Sequence, residues 1–199
     1  ANGIKAIELK DDDQLVGVDV TDGSCDVMLF SSAGKAIRFK AEAVRPMGRT
    51  AGGVRGIKLG AGQRVISLII HGAEDSSVLT ATGKGYGKRT TISDYPVHGR
   101  GGQGVISIQT TDRNGDVVGA VHVTEDDGIM LITDGGTLVR TRVAEVSVMG
   151  RNTQGVRLIN LSTGEERLVG IERIEEDDQA DEEGADTEEA GSEDSGSED

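Results

Sequence analysis

Short runs of aliphatic and β-branched residues, separated by polar turns, make up most of this chain. Runs of strand composition include V-I-S-L-I-I at 65–70 and V-G-A-V-H-V at 118–123, and shorter ones lie at 27–30 and 129–132. Polar stretches such as T-D-R-N-G-D at 111–116 favour tight hairpin turns. The chain has 30 glycines, two prolines and no long 3.6-residue periodicity, so the pattern predicts an all-β fold with almost no helix.

One phrase recurs three times along the chain at a fixed spacing. It reads G-R-T-A-G-G-V at 48–54, G-R-G-G-Q-G-V at 99–105 and G-R-N-T-Q-G-V at 150–156, so each copy begins 51 residues after the last. A period of that size indicates a repeat architecture. Every copy also places an arginine in a glycine-rich loop.

The repeat unit has the size of a propeller blade. Four antiparallel strands and a tight turn at Gly83–Lys84 are predicted in about fifty residues, with the strands at 53–59, 64–70, 77–82 and 86–92. Further strands are predicted at 156–161 and 167–174, and residues 3–9 align with 53–59. The sequence therefore predicts a propeller-like domain of about three to three and a half blades over residues 1–174.

An arc of that size would leave sheet edges unpaired, which folded proteins avoid. Two interpretations stay open. The chain is a fragment of a longer array, or the arc closes in a way that the sequence does not show.

Charge divides the chain into two parts. The net charge is −14, but residues 175–199 contain 14 acidic residues and no Lys or Arg. Removing these 14 from the 35 acidic residues leaves 21, which equals the 21 Lys and Arg, so the body is neutral. Residues 175–199 are predicted to be a disordered acidic tail, which serves solubility or acts as a mobile decoy for a basic surface on the body.

Catalytic and metal-binding patterns are weak. Cys25 is the only cysteine, and His71, His98 and His122 are scattered without metal-ligand spacing. The G-x-G-x-x-G match at 99–104 precedes a strand, whereas a dinucleotide site needs a helix there. We therefore expect no catalytic residue, metal or cofactor in this chain. With no signal peptide or membrane-spanning run, a cytoplasmic location is expected.

Cationic residues recur in phase with the repeat. Arg49, Arg100 and Arg151 hold equivalent positions in the three phrases. Arg45 adds to this first group. A second group lies in or near the fourth strand of each unit and consists of Lys35, Arg38, Lys84, Lys88, Arg89, Arg140 and Arg142. Equivalent positions of stacked repeats lie on one side of an array, so the pattern predicts a basic stripe on a neutral body.

The expected ligand of this stripe is the phosphate backbone of duplex DNA. Glycines of the second phrase would let a phosphate approach and would expose main-chain N–H groups; they are Gly99, Gly101, Gly102 and Gly104. Aromatic content is only 2%, which disfavours stacking on single-stranded bases. Wrapping of a duplex without sequence preference fits better. In the alternative interpretation the glycines serve the turn and the arginines are merely solvated.

The chain resembles the C-terminal domain of the gyrase A protein, part of a bacterial type II DNA topoisomerase. The resemblance rests on Y-P-V-H-G-R-G-G-Q-G-V-I-S-I at 95–108, T-L-V-R-T-R at 137–142 and the phrase at 150–156, and covers residues 1–174. It implies a six-bladed β-pinwheel whose basic perimeter wraps duplex DNA with a positive crossing. It also implies an A2B2 holoenzyme of DNA gyrase that introduces negative supercoils, with ATP and Mg²⁺ used elsewhere in that assembly. A nucleoid-associated protein, monomeric as an isolated domain, is implied as well.

The family's hallmark box, Q-R-R-G-G-K-G, has only a partial counterpart here. The stretch H-G-R-G-G-Q-G at 98–104 keeps Arg100 and three glycines but lacks the first arginine and the lysine. The full box is therefore expected upstream of this chain. Tyr86 and Tyr95 lack a catalytic setting. The alternatives are the corresponding domain of topoisomerase IV, and a propeller-like scaffold that binds proteins and has no DNA role.

Overall fold

The computed structural model describes residues 3–72, 76–161 and 165–175. Within these ranges the chain forms strands and three single turns of 3₁₀ helix, with no α-helix, which confirms the all-β prediction. No helix in these ranges has the length and apolarity needed to cross a membrane. The predicted acidic tail beyond Glu175 lies outside the described residues. The strands are β1 Asp26–Ser31, β2 Lys35–Lys40, β3 Val65–His71, β4 Ser77–Thr82, β5 Tyr86–Thr91, β6 Val105–Ile106, β7 Val117–Val123, β8 Gly128–Thr133, β9 Leu138–Arg142, β10 Val156–Arg157 and β11 Leu168–Ile174.

The strands form three antiparallel sheets of one design. Their orders are β3-β1-β2-β6, β7-β4-β5-β10 and β11-β8-β9. Each sheet is built on a two-stranded hairpin, as in β4–β5, which turns at Gly83–Gly85. The strand β7 also packs against both β3 and β11, so these three are the inner strands of the array. The strands β6 and β10 lie at the outer edges of the first and second sheets.

Strand pairing differs from the predicted four-strand unit. The inner strand β3 pairs with β1, which precedes it, and not with β4, which follows it. The outer strands come from the next repeat, since Val105 lies opposite Ala36 and Val156 opposite Gly87. The prediction that residues 53–92 form one consecutive blade is therefore wrong, although the repeat period and most strand positions are confirmed.

The predicted strand at 53–59 is not a strand in the structure. Its counterparts in the next two repeats, β6 and β10, each pair with a hairpin about 70 residues earlier in the chain. For residues 54–55, a partner at that separation would precede residue 1. The backbone of residues 53–59 forms hydrogen bonds with the glycine-rich phrase of the next repeat, at 99–105. Gly101 N donates to Gly56 O at 2.6 Å, and Lys58 N donates to Gly102 O at 2.8 Å.

Apolar side chains join neighbouring sheets. Between the first and second sheets, Phe30 and Tyr95 meet edge to face with ring centroids 6.1 Å apart, beside Met28 and Val78. A second cluster joins the second and third sheets through side chains that include Leu79, Val123, Ile129, Leu131 and Leu168. Full burial of such a side chain contributes about 1.5–3 kcal/mol. These two clusters set the spacing of neighbouring sheets, and with it the spacing of the repeats that carry the phased cations.

Candidate nucleic-acid interface

Three glycine-containing loops carry the phased arginines, and we call residues 48–51, 99–102 and 150–153 the outer loops. In each, the arginine Nη1 donates to a backbone carbonyl of the preceding repeat. Arg49 reaches Lys5 O at 3.3 Å, Arg100 reaches Arg55 O at 2.6 Å, and Arg151 reaches Ile106 O at 3.0 Å. The same contact is thus made three times, and these arginines join successive repeats.

This structural role leaves part of each guanidinium available. A guanidinium has five N–H groups. Arg49 is exposed, and Arg100 and Arg151 are half-buried. Arg100 uses a second nitrogen, Nε, on Ala43 O at 3.3 Å. The remaining N–H groups can serve a phosphate, so joining repeats and binding an anion are compatible roles for one side chain.

The glycines of the second phrase, at 99–105, have different structural roles. Gly104 directly precedes β6 and has φ +69, and Gly101 has φ +83. The N–H of Gly101 donates to Gly56 O, so it is not available to a ligand. Gly99 and Gly102 are exposed, and a Cβ added at Gly99 would meet no atom within 4 Å. Close approach of a phosphate backbone is therefore possible at Gly99 and Gly102.

Two of the predicted cations of the second group lie beneath the following repeat. The Arg38 side chain is 13% exposed, donates to Asp26 Oδ2 at 2.6 Å and reaches Tyr95 O at 3.3 Å. Arg89 is buried and donates to Val146 O at 2.6 Å, the equivalent carbonyl one repeat later. Both side chains hold the carbonyl that follows a 3₁₀ turn, so neither presents its guanidinium to the surface.

Lys88 is fully buried, contrary to its predicted place on a basic surface. Its Nζ donates to Gly150 O at 2.8 Å, Arg151 O at 3.1 Å and Thr90 Oγ1 at 2.7 Å. The ammonium thus holds the third outer loop from below and is inaccessible to a phosphate. Burial lowers the pKa of Lys88 to about 8; Asp94 opposes this effect and Arg151 adds to it.

The lowered pKa of Lys88 predicts a pH-dependent stability. A base whose pKa falls from 10.5 to about 8 on folding loses its proton first in the folded chain. Between these two values the unfolded chain binds more protons, so stability from this group rises with pH. We expect the wild type to gain stability relative to Lys88→Met between about pH 8 and pH 10. Urea unfolding of both proteins checks this, and a pH-independent difference would contradict it.

The other predicted cations are more accessible. Arg45, Arg140 and Arg142 are exposed, and Lys35 and Lys84 are half-buried. Arg142 Nε lies 3.1 Å from Glu145 Oε1, which offsets part of its charge. Lys84 Nζ donates to Asp112 O. The candidate surface therefore keeps these five residues and the three outer-loop arginines, and loses Lys88, Arg89 and Arg38.

Five exposed arginines in the described part of the chain are not among the predicted cations, namely Arg55, Arg64, Arg113, Arg157 and Arg167. Arg55 and Arg157 follow the last valine of the first and third phrases, and Ile106 holds the equivalent position between them. Reading the phrase one residue further would have found both. Arg113 lies in the turn before β7 and carries no repeat signal.

Two of the three histidines are neighbours in space. His71 and His122 lie on the adjacent inner strands β3 and β7, with ring centroids 5.4 Å apart. The expectation of scattered histidines is therefore wrong for this pair. Burial lowers the pKa of His122, and Arg173 contributes in the same direction. Among the described residues, no group of three or more His, Cys, Asp or Glu side chains could hold a metal ion.

Repeated antiparallel sheets around packed inner strands define a propeller-type β domain with cationic outer loops. The family model described as "DNA gyrase C-terminal domain, beta-propeller" matches four successive segments of the chain, residues 1–22, 26–71, 76–124 and 129–175. The chain belongs to the DNA gyrase C-terminal domain family. The matched segment 26–71 begins with a hairpin and ends with its inner strand, in agreement with the pairing of β1, β2 and β3.

Curated relatives are gyrase A proteins. The chain is 60% identical over 174 residues to the DNA gyrase A protein of Salmonella typhimurium, covering 87% of the chain and 20% of that protein. It is 56% identical to the DNA gyrase A protein of Escherichia coli K12, with the same coverage. The chain thus spans about a fifth of the length of these relatives. The resemblance to the gyrase A protein is confirmed.

Solved structures of two related enzymes have the same fold. The C-terminal domain of DNA topoisomerase IV superposes with a TM-score of 0.81 at 26% identity, covering 85% of this chain and 53% of that one. The DNA gyrase A C-terminal domain superposes with a TM-score of 0.79 at 29% identity, covering 86% of this chain and 58% of that one. The two structural scores are close, so the distinction in favour of gyrase rests on the family model and the sequence relatives.

Proposed function

We propose that this chain binds duplex DNA through its phosphate backbone and bends it, so that a gyrase holoenzyme can introduce negative supercoils. The observation that carries the proposal is the set of three in-phase arginines, each fixed to the preceding repeat by one N–H contact and each partly accessible. Family membership supports the same function. The proposed contacts are Arg49, Arg100 and Arg151, together with Lys35, Arg45, Lys84, Arg140 and Arg142.

Phosphates, not bases, are the proposed point of contact. The chain has two tyrosines, two phenylalanines and no tryptophan. All four rings are buried, which prevents stacking on bases; they are Phe30, Phe39, Tyr86 and Tyr95. The described residues also form no α-helix that could enter a major groove. Binding is therefore expected to be independent of DNA sequence.

Bending follows from where the outer loops lie. The inner strand β7 packs against both β3 and β11, and β6 and β10 lie at the opposite edges of their sheets, so the proposed path of the DNA runs over the outer loops on the side away from the inner strands. A duplex that contacts successive loops must follow this path and curve with it. Bending 20–30 base pairs by 40–90° costs about 1–6 kcal/mol, which several charge-assisted phosphate contacts can offset.

The proposed function also requires partners in a larger gyrase complex. The chain would act together with gyrase B and with the rest of a gyrase A protein in an A2B2 complex. ATP hydrolysis, Mg²⁺ binding and DNA cleavage would take place elsewhere in that complex. Its site of action would be the bacterial cytoplasm, on the nucleoid.

Energy transfer between dyes on the two ends of a linear duplex tests the bending. A duplex of about 40 base pairs extends over more than 100 Å, so transfer is low in the free DNA. We expect the chain to raise the transfer equally for two unrelated sequences, and added salt to reverse the effect. Fluorescence anisotropy of the same duplex reports binding separately. Binding without increased transfer would contradict bending, and absence of binding would reject the proposed function.

A further inference from the structure

A basic cavity lies between the second and third sheets, next to the turn of the β4–β5 hairpin. Its volume is about 300 Å³. Four cationic side chains and one carboxylate line it, namely Lys84, Arg113, Arg157, Arg167 and Glu166. Only Lys84 of these belongs to the predicted basic stripe. The cavity thus has an excess of three positive charges.

Two of the guanidiniums are held on one aromatic ring. Arg113 Cζ lies 5.0 Å and Arg157 Cζ 5.2 Å from the centroid of the Tyr86 ring. Arg157 Nη2 also donates to the Tyr86 hydroxyl at 2.8 Å, and its Nη1 donates to Asn160 Oδ1 at 3.2 Å. Cation–π contact and these hydrogen bonds fix the guanidiniums before any ligand arrives.

The two arginines lack an acidic partner in the described part of the chain. No carboxylate there lies within ion-pair distance of Arg113 or Arg157. The Glu166 carboxylate accepts hydrogen bonds from Thr133 and Thr137 of the third sheet, at 2.7 and 3.1 Å. Because both guanidiniums contact one ring, they lie at most about 10 Å apart and repel each other. A bound anion would remove this repulsion.

The pKa of the Tyr86 hydroxyl depends on the two positive charges beside it. Hydrogen bonding with Arg113, and then with Arg157, lowers the pKa of Tyr86. Tyr95, the only other tyrosine, has its pKa raised by burial. Because the two pKa values are shifted in opposite directions, we expect Tyr86 to ionise before Tyr95.

We propose that Arg113 and Arg157, held against Tyr86, form a phosphate-binding site whose occupant is a backbone phosphate of duplex DNA. Paired guanidiniums present forked N–H groups that match phosphate oxygens. The cavity adjoins a larger one of about 490 Å³, which shares Lys84 and Arg167 and adds Arg64 and one carboxylate, Asp116, so its lining also has more cations than anions. This continuous basic surface suits a polymer of phosphates better than a single small anion. The DNA assignment rests on the proposed function, whereas the anion site does not.

Carbon-13 NMR of the full chain with labelled tyrosine tests the site directly. The ring carbon that bears the hydroxyl follows ionisation of each tyrosine, and the Tyr95 signal reports that the fold is intact. We expect inorganic pyrophosphate to raise the apparent pKa of Tyr86 by about 0.5 or more, since the anion offsets the two guanidiniums. The variant Tyr86→Phe assigns the lower titration step. No response of this step to pyrophosphate would overturn the site.

Matched variants separate this site from general charge effects. Arg157→Gln should raise the Tyr86 pKa in the absence of ligand and abolish the response to pyrophosphate. Lys10→Gln removes the same charge from an exposed position outside the cavity and should change neither. Equal behaviour of the two variants would overturn the proposal.

A short duplex distinguishes the two sources of phosphate. If a 12-base-pair duplex raises the Tyr86 pKa as pyrophosphate does, the DNA assignment is supported. If pyrophosphate acts and the bound duplex does not, the site takes free anions and the DNA assignment is overturned. If neither acts while the chain still binds and bends DNA, this site fails and the proposed function stands.

Discussion

Replacing Gly104 by alanine is expected to destabilise the fold by about 3 kcal/mol or more. Gly104 has φ +69, and a Cβ there would lie 2.2 Å from Ala36 O and 2.8 Å from Ala36 C. Both are backbone atoms of β2, which cannot move without breaking its pairing with β1. Strand β6 would have to leave the first sheet, and the second outer loop would lose its position with it.

Chemical denaturation followed by far-ultraviolet circular dichroism measures this effect. Gly99→Ala is the matched control, because the same change five residues earlier in the chain meets no atom within 4 Å. It should cost less than about 1 kcal/mol. Gly155→Ala should behave like Gly104→Ala, since its Cβ would lie 2.6 Å from Gly87 O with φ +78. If Gly104→Ala and Gly99→Ala were equally stable, the outer-strand register described above would be wrong.

Replacing Arg49, Arg100 and Arg151 together by glutamine is expected to weaken duplex binding about 100-fold at 0.1 M salt, because three charge-assisted phosphate contacts are lost. Stability should also fall, by about 0.5–1.5 kcal/mol for each lost hydrogen bond to a carbonyl. Fluorescence anisotropy gives the affinity and thermal unfolding gives the stability, so the two effects are measured separately.

The triple lysine variant is the control for this experiment. Lysine keeps the charge but lacks the planar fork that reaches the carbonyl of the preceding repeat. It should lose stability as the glutamine variant does, while its affinity stays within about tenfold of the wild type. Wild-type affinity in the glutamine variant would show that DNA contacts lie elsewhere. Equal loss of affinity in both variants would show that the arginines act only by joining repeats.

Strand positions and the repeat were predictable, because hydrophobic runs and glycine turns are local signals. The runs at 65–70, 77–82 and 118–123 correspond closely to β3, β4 and β7. Sheet membership was not predictable in the same way. A period of 51 residues sets the phase of equivalent positions, but it does not say whether β3 pairs with the hairpin before it or the hairpin after it.

The exposure of the cationic side chains was predicted less well than the strand positions. Lys88 and Arg89 stand in a polar stretch, G-K-G-Y-G-K-R-T, which the pattern assigns to a surface strand. Their burial follows from the next repeat, whose carbonyls at Val146, Gly150 and Arg151 cover β5 and accept their N–H groups. A charged side chain that is buried against backbone carbonyls looks the same in the sequence as an exposed one, because burial is inferred from hydrophobic residues. The Tyr86 cavity was missed because Arg113 and Arg157 come from separate repeats and meet only in the folded chain.

Salt dependence of duplex binding tests the central claim most directly, that this chain holds DNA by its phosphates. Contacts from the three outer-loop arginines alone predict a slope of log K against log salt of about −2.7, and further contacts make it steeper. Two duplexes of unrelated sequence should give the same slope, and the triple glutamine variant should reduce its magnitude by about 2.7. A flat response, or a slope that the triple variant leaves unchanged, would contradict the account.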